Sequence, residues 1–465
     1  MTSTRSVLLL NPPGLGVYIR DYYCSKLSRT GYTFPPIDLL HAGAVFAAHG
    51  WDTRAIDAIV QGLDVAETLE LIKADPPRAV FILVGAVSVD EDAEFLKRLR
   101  GALPDVTLIG SGDVLREHPR QWVQSGLVDA VALDFCSPST VRYAGGQTDD
   151  LPDLVYKTAG GVSGGELSSG KAMSIGLPPH ELFAPFPYRF PFAHRRPFAS
   201  VLTDYGCPYR CSFCVMASLH YHVRPMDEVA AELVHLQALG VREFALWDQT
   251  FAVNRVRAVD FLDLLPEGTA KMGWTCFTRP DCIDAGLATV MAAKGCHTVI
   301  MGVETSKAAS LEAIQKDFST HDMKAAFAVC REAGMETAAT VIVGLPGESV
   351  ADIEATMDFV CDLDPDYVSV HTAIPRAGTA LRRQMVADGL VSDDLANMDQ
   401  SGETTVIPSD TLGPKTILAL RKRFNRRFYL RPKFLARTLK NNLKNPARLL
   451  EHIKQGLTLL SRNSA

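Results

Sequence analysis

The stretch TDYGCPYRCSFCVM, residues 203–216, places Cys207, Cys211 and Cys214 in a C-x3-C-x2-C array. Thiolates are soft ligands, suited to iron–sulfur clusters or to zinc. Three of them this close can face one metal centre only from a tight loop, and Gly206 and Pro208 favour such a loop. Three protein ligands on a four-iron cluster leave one iron open, as a cluster that binds a small molecule requires. His220 and His222 follow closely, so a Cys3His zinc site is the alternative.

Outward from this loop the chain alternates strand and helix. Strands are expected at 199–203, 243–247, 272–277, 297–302, 338–343 and 366–370. The helix near 226–239 carries Val229, Leu233 and Leu236 on one face, and Ser349 with Asp352 forms a capping box for the helix after the fifth strand. Six consecutive βα units without a dinucleotide fingerprint predict a parallel barrel, complete or partial. The cysteine loop follows the first of these strands, at the face where barrel enzymes place their chemistry.

The same rhythm runs through 6–135. Strands are expected at 6–10, 79–84, 106–109 and 129–133, with a weaker one at 52–57, and helices near 37–49, 64–74, 90–102 and 114–125. This is a parallel sheet with helices on both faces, whose ligands lie beyond the carboxyl ends of the strands. Those ends are Asn11-Pro12-Pro13, the turn after Val84-Gly85, and Gly110-Ser111-Gly112. Residues 136–197 read as a linker, Gly/Ser-rich at 159–170 and Pro/Phe-rich at 182–198. The aromatic part is expected to be ordered loop packed on the domains, because so many exposed rings would be costly.

The chain has 465 residues, 47% hydrophobic and 22% charged, which predicts two or three globular domains with large cores. Its ten cysteines are mostly scattered, so a disulfide framework is not expected. The apolar run near the N-terminus is too short for a secretion signal, and no run is long enough to span a membrane. The expected location is cytoplasmic, with peripheral contact at the inner face of the membrane as an option. Residues 412–465 carry 14 Lys and Arg against one acid, Glu451, although the whole chain carries a net charge of −6. Phe424, Phe428 and Tyr429 lie among the arginines of RKRFNRRFYLRP (421–432). Three readings follow: an anionic membrane surface into which Phe424 and Phe428 insert, a basic helix docked on this protein's own acidic remainder, and, less favoured, nucleic acid.

The cysteine loop resembles that of the radical S-adenosylmethionine (SAM) superfamily, and the later strands agree with it. Phe213 occupies the aromatic position before the last cysteine. ALWDQTF (245–251) resembles the second-strand motif of the subgroup that pairs this barrel with a cobalamin-type domain, and brings Asp248 to the SAM end. WTCFTR (274–279) resembles the third-strand motif, with Arg279 as partner for the SAM carboxylate. MGVET (301–305) offers Glu304 to the ribose, and VIVGLPGE (341–348) offers Gly344 for close approach to adenine. IPRAGTAL (374–381) resembles the loop after strand six. The structural alternatives are a loop-turn role for Asp248, an Arg279–Glu304 ion pair, turn geometry for Gly344 and Gly347, and a helix-start role for Glu348.

LLLNPP (8–13), PPIDLLHAGAVFAAHGWDTRAID (35–57) and LVGAVSVDED (83–92) resemble the cobalamin-binding domain of the same subgroup. The pattern departs at Gly110-Ser111-Gly112, where many relatives have Gly-Gly, and at 132–136, where an acidic-glycine run is missing. No D-x-H-x-x-G occurs. His41 lies in a helix and reads as a packed residue. Arg20 to Lys26 is either a binding loop or a packed surface loop.

The resemblance implies an α/β protein: a Rossmann-like cobalamin-binding-type domain (1–140), a linker (141–190), a partial (β/α)6 radical SAM barrel (191–400) and a basic helical segment (401–465). It implies a [4Fe-4S] cluster on Cys207, Cys211 and Cys214, SAM and cobalamin as cofactors, and an electron donor such as flavodoxin or ferredoxin. The implied reaction is methylation of an unactivated carbon of a hydrophobic, lipid-like or polycyclic substrate. The alternatives are radical cyclisation, rearrangement or carbon–carbon bond formation without methylcobalamin, and a non-catalytic iron–sulfur or zinc protein.

Overall fold

The computed structural model describes residues 5–442 except 23–24, 169–172, 266–270, 395–396, 400 and 403–405, and beyond 442 only 450, 454 and 456. The leucines and isoleucine expected to continue the basic tail, Leu443 to Leu460 apart from Leu450, lie outside the described residues.

The N-terminal sheet contains β1 (Ser6–Asn11), β2 (Asp52–Asp57), β3 (Ala79–Leu83), β4 (Thr107–Ser111), β5 (Ala130–Ala132), β6 (Leu154–Thr158) and β7 (Gly161–Gly164). Their order is β2-β1-β3-β4-β5-β6-β7. The first five are parallel, and β6 and β7 add antiparallel at the edge. The strand order reverses between β1 and β3, the position at which doubly wound sheets open their ligand crevice. Helix α1 (Ile37–Ala48) is buried from Ile37 to Phe46, as its nearly uninterrupted apolar sequence requires. His41 on it is fully buried with Nδ1 bonded to the Ile37 carbonyl, a packed helix residue as expected.

The β6–β7 hairpin corrects the expected linker. Its Gly/Ser-rich sequence lacks the apolar run of a core strand, yet Leu154, Val155 and Tyr156 are buried against the sheet. The Pro/Phe-rich stretch is packed as expected: Phe183, Tyr188, Phe190 and Phe198 are all buried.

The second sheet contains β8 (Ala199–Val201), β9 (Glu243–Leu246), β10 (Gly273–Thr278), β11 (Cys296–Glu304), β12 (Glu336–Val343) and β13 (Tyr367–Thr372). They pair in chain order, all parallel, as a six-stranded open barrel. Phe244, Leu246, Trp274, Cys276, Val299, Met301, Val341, Val368 and Val370 face the surrounding helices and form the core. The open side, between edge strands β8 and β13, is crossed by a strap from the N-terminal domain. Arg29 Nη2 donates to the Val370 carbonyl at 3.0 Å and Ser200 Oγ donates to the Pro35 carbonyl at 2.9 Å.

Helix α2 (Val350–Leu363) starts with the expected capping box of Ser349 and Asp352. Helix α3 (Pro414–Tyr429) packs on α2 and β13, burying Ile417, Leu420, Phe424 and Phe428. This corrects the membrane reading of these rings: Phe424 and Phe428 are 0% exposed and cannot insert into lipid. Each such burial is worth roughly 1.5–3 kcal/mol, so the helix is held as part of the barrel. Arg431, Lys433 and Arg437 converge on Asp364, which fits docking on the protein's own acidic surface. Among the described residues no helix is long and apolar enough to cross a membrane.

Candidate active site

The cysteine loop leaves β8 and returns through a short antiparallel pairing of Asp204–Tyr205 with His222–Val223. Gly206, at φ +79°, turns the chain outward, and a Cβ there would lie 2.3 Å from the His220 carbonyl, so only glycine fits. Asp248 fixes the start of the loop. Its carboxylate accepts from the Thr203 and Asp204 amides at 2.6 and 3.2 Å and from the Thr203 hydroxyl. Asp248 therefore anchors the loop, and its carboxyl is held above the usual range by burial. Farther along, the Ser212 amide donates to the Ile314 carbonyl and the Leu381 amide to the Ser212 carbonyl. The loop is thus tied to the segments after β11 and after β13.

Cys207, Cys211 and Cys214 are free thiols on this loop. Burial pushes the Cys214 thiol up to about 12, and Cys211 and Cys207 add to that rise. Burial also raises Cys211, with Lys316 and Arg279 opposing and Glu304 and Cys207 reinforcing. Among the described residues no three His, Cys, Asp or Glu side chains are drawn close enough to chelate an ion unaided. The three thiols nevertheless lie within each other's electrostatic reach, and deprotonating all three requires a compensating cation. The donor set fits an iron–sulfur cluster better than zinc, because among the described residues neither His220 nor His222 joins the thiols in a group able to hold an ion.

Around the loop stand the other expected residues. The Arg279 guanidinium lies 3.7 Å over the Tyr209 ring and 5.0 Å over Phe318. Its Nε and Nη2 both donate to Asp281 at 2.9 Å, while Nη1 is buried without a hydrogen-bond partner among the described residues. Glu304, at φ +61°, accepts from Lys316 Nζ at 2.7 Å. The Arg279–Glu304 ion pair, the structural alternative for these two residues, is not formed among the described residues; Arg279 pairs with Asp281 and Glu304 with Lys316. Phe213 is half-buried, with Lys316 Nζ 5.9 Å from its ring.

Gly344 has a φ of +84°, and a Cβ there would meet Ile417 of α3 at 2.9 Å. Glu348 is buried, accepts from Thr305 Oγ1 at 2.8 Å and from the Leu345 amide at 3.1 Å, and is raised by burial to about 7. Sequence reading missed Lys316, Tyr209 and Asp281, which complete this shell. No motif flags Lys316, twelve residues beyond its partner.

The crevice of the N-terminal sheet is filled. Arg20, 2% exposed, lies at the β1/β3 reversal. Its guanidinium donates to Asn11 Oδ1 at 3.0 Å, the Pro12 carbonyl at 2.9 Å, Ser88 Oγ at 3.0 Å and both Asp92 oxygens at 2.7 and 3.0 Å. A Cβ on Gly85 would meet Ser25 at 2.9 Å and Arg20 at 3.0 Å. Of the run beginning at Arg20, the described residues Arg20, Asp21, Tyr22 and Ser25 are buried at the end of the sheet where ligands of such folds bind.

Residues 201–360 match the Radical SAM superfamily. The chain is 27% identical over 426 residues to an uncharacterized methyltransferase of Pyrococcus horikoshii, covering 88% of this chain and 91% of that one. It is 28% identical over 187 residues to the anaerobic magnesium-protoporphyrin IX monomethyl ester cyclase of Cereibacter sphaeroides, covering 39% of this chain and 31% of that one. In fold it resembles the methyltransferase TsrM of Kitasatospora setae, solved with cobalamin and a [4Fe-4S] cluster, with a TM-score of 0.64 at 20% identity over 83% of this chain and 75% of that one. It also resembles the cobalamin-dependent enzyme OxsB, with a TM-score of 0.71 at 12% identity over 98% of this chain and 72% of that one.

Proposed function

We propose that this chain, whose residues 201–360 match the radical SAM family, is a radical SAM methyltransferase acting on an unactivated carbon of a hydrophobic substrate with the help of cobalamin. The observation that carries the SAM-dependent part is the pairing of the three-thiol loop with an unfilled cationic donor, Arg279 Nη1, held beside it. When bound, the cluster supplies the electron for reductive cleavage of SAM, and a reductant such as flavodoxin or ferredoxin must feed it. This chain's own residues do the rest. Cys207, Cys211 and Cys214 would hold the cluster, Arg279 would take the SAM carboxylate, the Lys316–Glu304 pair would meet the polar edge of the nucleoside, and Phe213 would pack near the adenine.

Likeness to cobalamin-binding folds and to a relative named as a methyltransferase supports the methyl-transfer part. The filled crevice at Arg20 favours a second reading, radical chemistry without cobalamin, in which the N-terminal domain shapes the substrate site. The two are separated by anaerobic titration of the reconstituted protein with hydroxocobalamin, followed by gel filtration and absorption spectroscopy. Co-elution near one equivalent is expected for methyl transfer. Intact cluster with no co-elution selects the second reading.

A further inference from the structure

Between Cys207 and Cys211 the loop reads Pro208-Tyr209-Arg210, and its one aromatic ring touches both halves of the site. Through its main chain Tyr209 belongs to the cysteine loop, because its amide donates to the Cys207 sulfur. Through its side chain it belongs to the arginine. The Arg279 guanidinium carbon lies 3.7 Å from the ring centroid, within cation–π distance. The Tyr209 hydroxyl lies 3.3 Å from Cys282 Sγ, one residue beyond Asp281. The ring is thus held at its tip by the same short segment, Pro280–Cys282, that holds the guanidinium by its edge.

These contacts leave Arg279 little freedom. Fixing a free arginine side chain costs about 2 kcal/mol of rotamer entropy. Here Tyr209 and Phe318 flank the guanidinium at 3.7 and 5.0 Å, and Asp281 accepts from both nitrogens of its Nε–Nη2 edge. The side chain is 5% exposed. An aromatic face uses up no N–H group, so the donors of Nη1 are kept for another acceptor. Asp281 fixes the direction of the fork, and the ring fixes its plane. A leucine at 209 would fill similar space, but it has neither a negative face nor a tip that reaches Cys282.

We propose that Tyr209 is a positioning residue: from within the cysteine loop it sets the plane of Arg279 for the carboxylate of SAM. The inference rests on the SAM-binding role proposed above for Arg279. A thiolate at Cys207 accepts more strongly from the Tyr209 amide than a thiol does, and the ring beside the arginine is fixed with that amide. An occupied loop and an aligned arginine are then one arrangement. Recognition of the carboxylate is thereby linked to occupation of the loop through a single residue.

The test uses the full chain with its cluster reconstituted anaerobically, and equilibrium dialysis of SAM and of decarboxylated SAM, which lacks the carboxylate. Tyr209→Leu should weaken SAM about tenfold and leave decarboxylated SAM within about twofold of the wild type. Tyr209→Phe keeps the ring and should hold SAM within about twofold. In an Arg279→Ala background Tyr209→Leu should cost nothing further, because the two residues act as one unit. Iron content identifies a variant that has lost its cluster. In that event replacement of Tyr209 by trifluorophenylalanine, which keeps the ring's shape and removes its negative face, should weaken SAM with the same selectivity. Unchanged SAM binding in the altered chain, equal weakening of both ligands, or a full penalty persisting without Arg279 would each overturn the proposal. If Arg279→Ala itself leaves SAM binding unchanged, the role of Arg279 fails and the inference falls with it. Failure of the radical SAM reading shows differently, as missing iron or no SAM binding in the wild-type chain.

Discussion

The two α/β sheets of this chain obey one topological rule and treat their ligand ends in opposite ways. At the carboxyl ends of the barrel strands, buried polar groups remain available: Arg279 Nη1 has no hydrogen-bond partner among the described residues, and three thiols share one loop. At the reversal of the N-terminal sheet the corresponding space is filled by Arg20, which binds Asn11, Ser88, Asp92 and two backbone carbonyls nearby. A fold names the place where a ligand can sit, and the side chains decide whether that place is open.

The largest effect should come from the open end. Replacing Cys211 with Ala should abolish 5′-deoxyadenosine formation, measured by chromatography after anaerobic reconstitution, because a cluster with two anchors is not retained. Retained product would break the comparison at its stronger side. The next effect tests the filled end. Arg20→Ala leaves Asp92 buried without its cation, so urea unfolding should show a loss of about 3–5 kcal/mol. Arg20→Lys keeps the charge but loses the fork, and should lose less. If the loop is a removable plug, these variants should also bind hydroxocobalamin more tightly than the wild type. A loss under about 1 kcal/mol for Arg20→Ala would show that the crevice is not truly occupied.

The smallest effect concerns Glu348, which joins Thr305, just after β11, to the turn before α2. Its carboxyl is raised by burial to about 7, so the folded state holds a proton there that the unfolded state releases near 4.5. Stability should therefore fall as pH rises through the window between those values and be flat above it, by no more than about 3 kcal/mol. Glu348→Gln should flatten the profile in chemical unfolding across that range. An unchanged slope would assign the pH dependence to other groups.

The sequence revealed most of the architecture because parallel strands buried on both faces read as apolar runs; of the thirteen strands in the two large sheets eleven were expected, β2 (DTRAID) only weakly because it is a largely exposed edge strand. The cysteine loop was equally legible, since its ligands are adjacent in sequence. The β6–β7 hairpin was not, because an edge hairpin of Gly and Ser has the composition of a linker. The role of α3 was ambiguous for a physical reason: an amphipathic basic helix has the same pattern whether its apolar face meets lipid or protein. Pairings such as Lys316 with Glu304, or Arg20 with Asp92, depend on distances in space that no spacing rule encodes.

The strap that closes the barrel also sets an order of events in synthesis. Its Arg29 meets Val370, and the amide of Leu27 meets Asp399, 341 and 372 residues away in the chain. At ribosomal rates of roughly 5–20 residues per second, the strap emerges on the order of tens of seconds before its partners exist. The N-terminal sheet can assemble alone in that interval, but Phe34 and its neighbours must wait, apolar and uncovered, for the last strand of the barrel. The nascent chain is then most vulnerable at its first forty residues, and a chaperone acting on this protein has its reason to bind there.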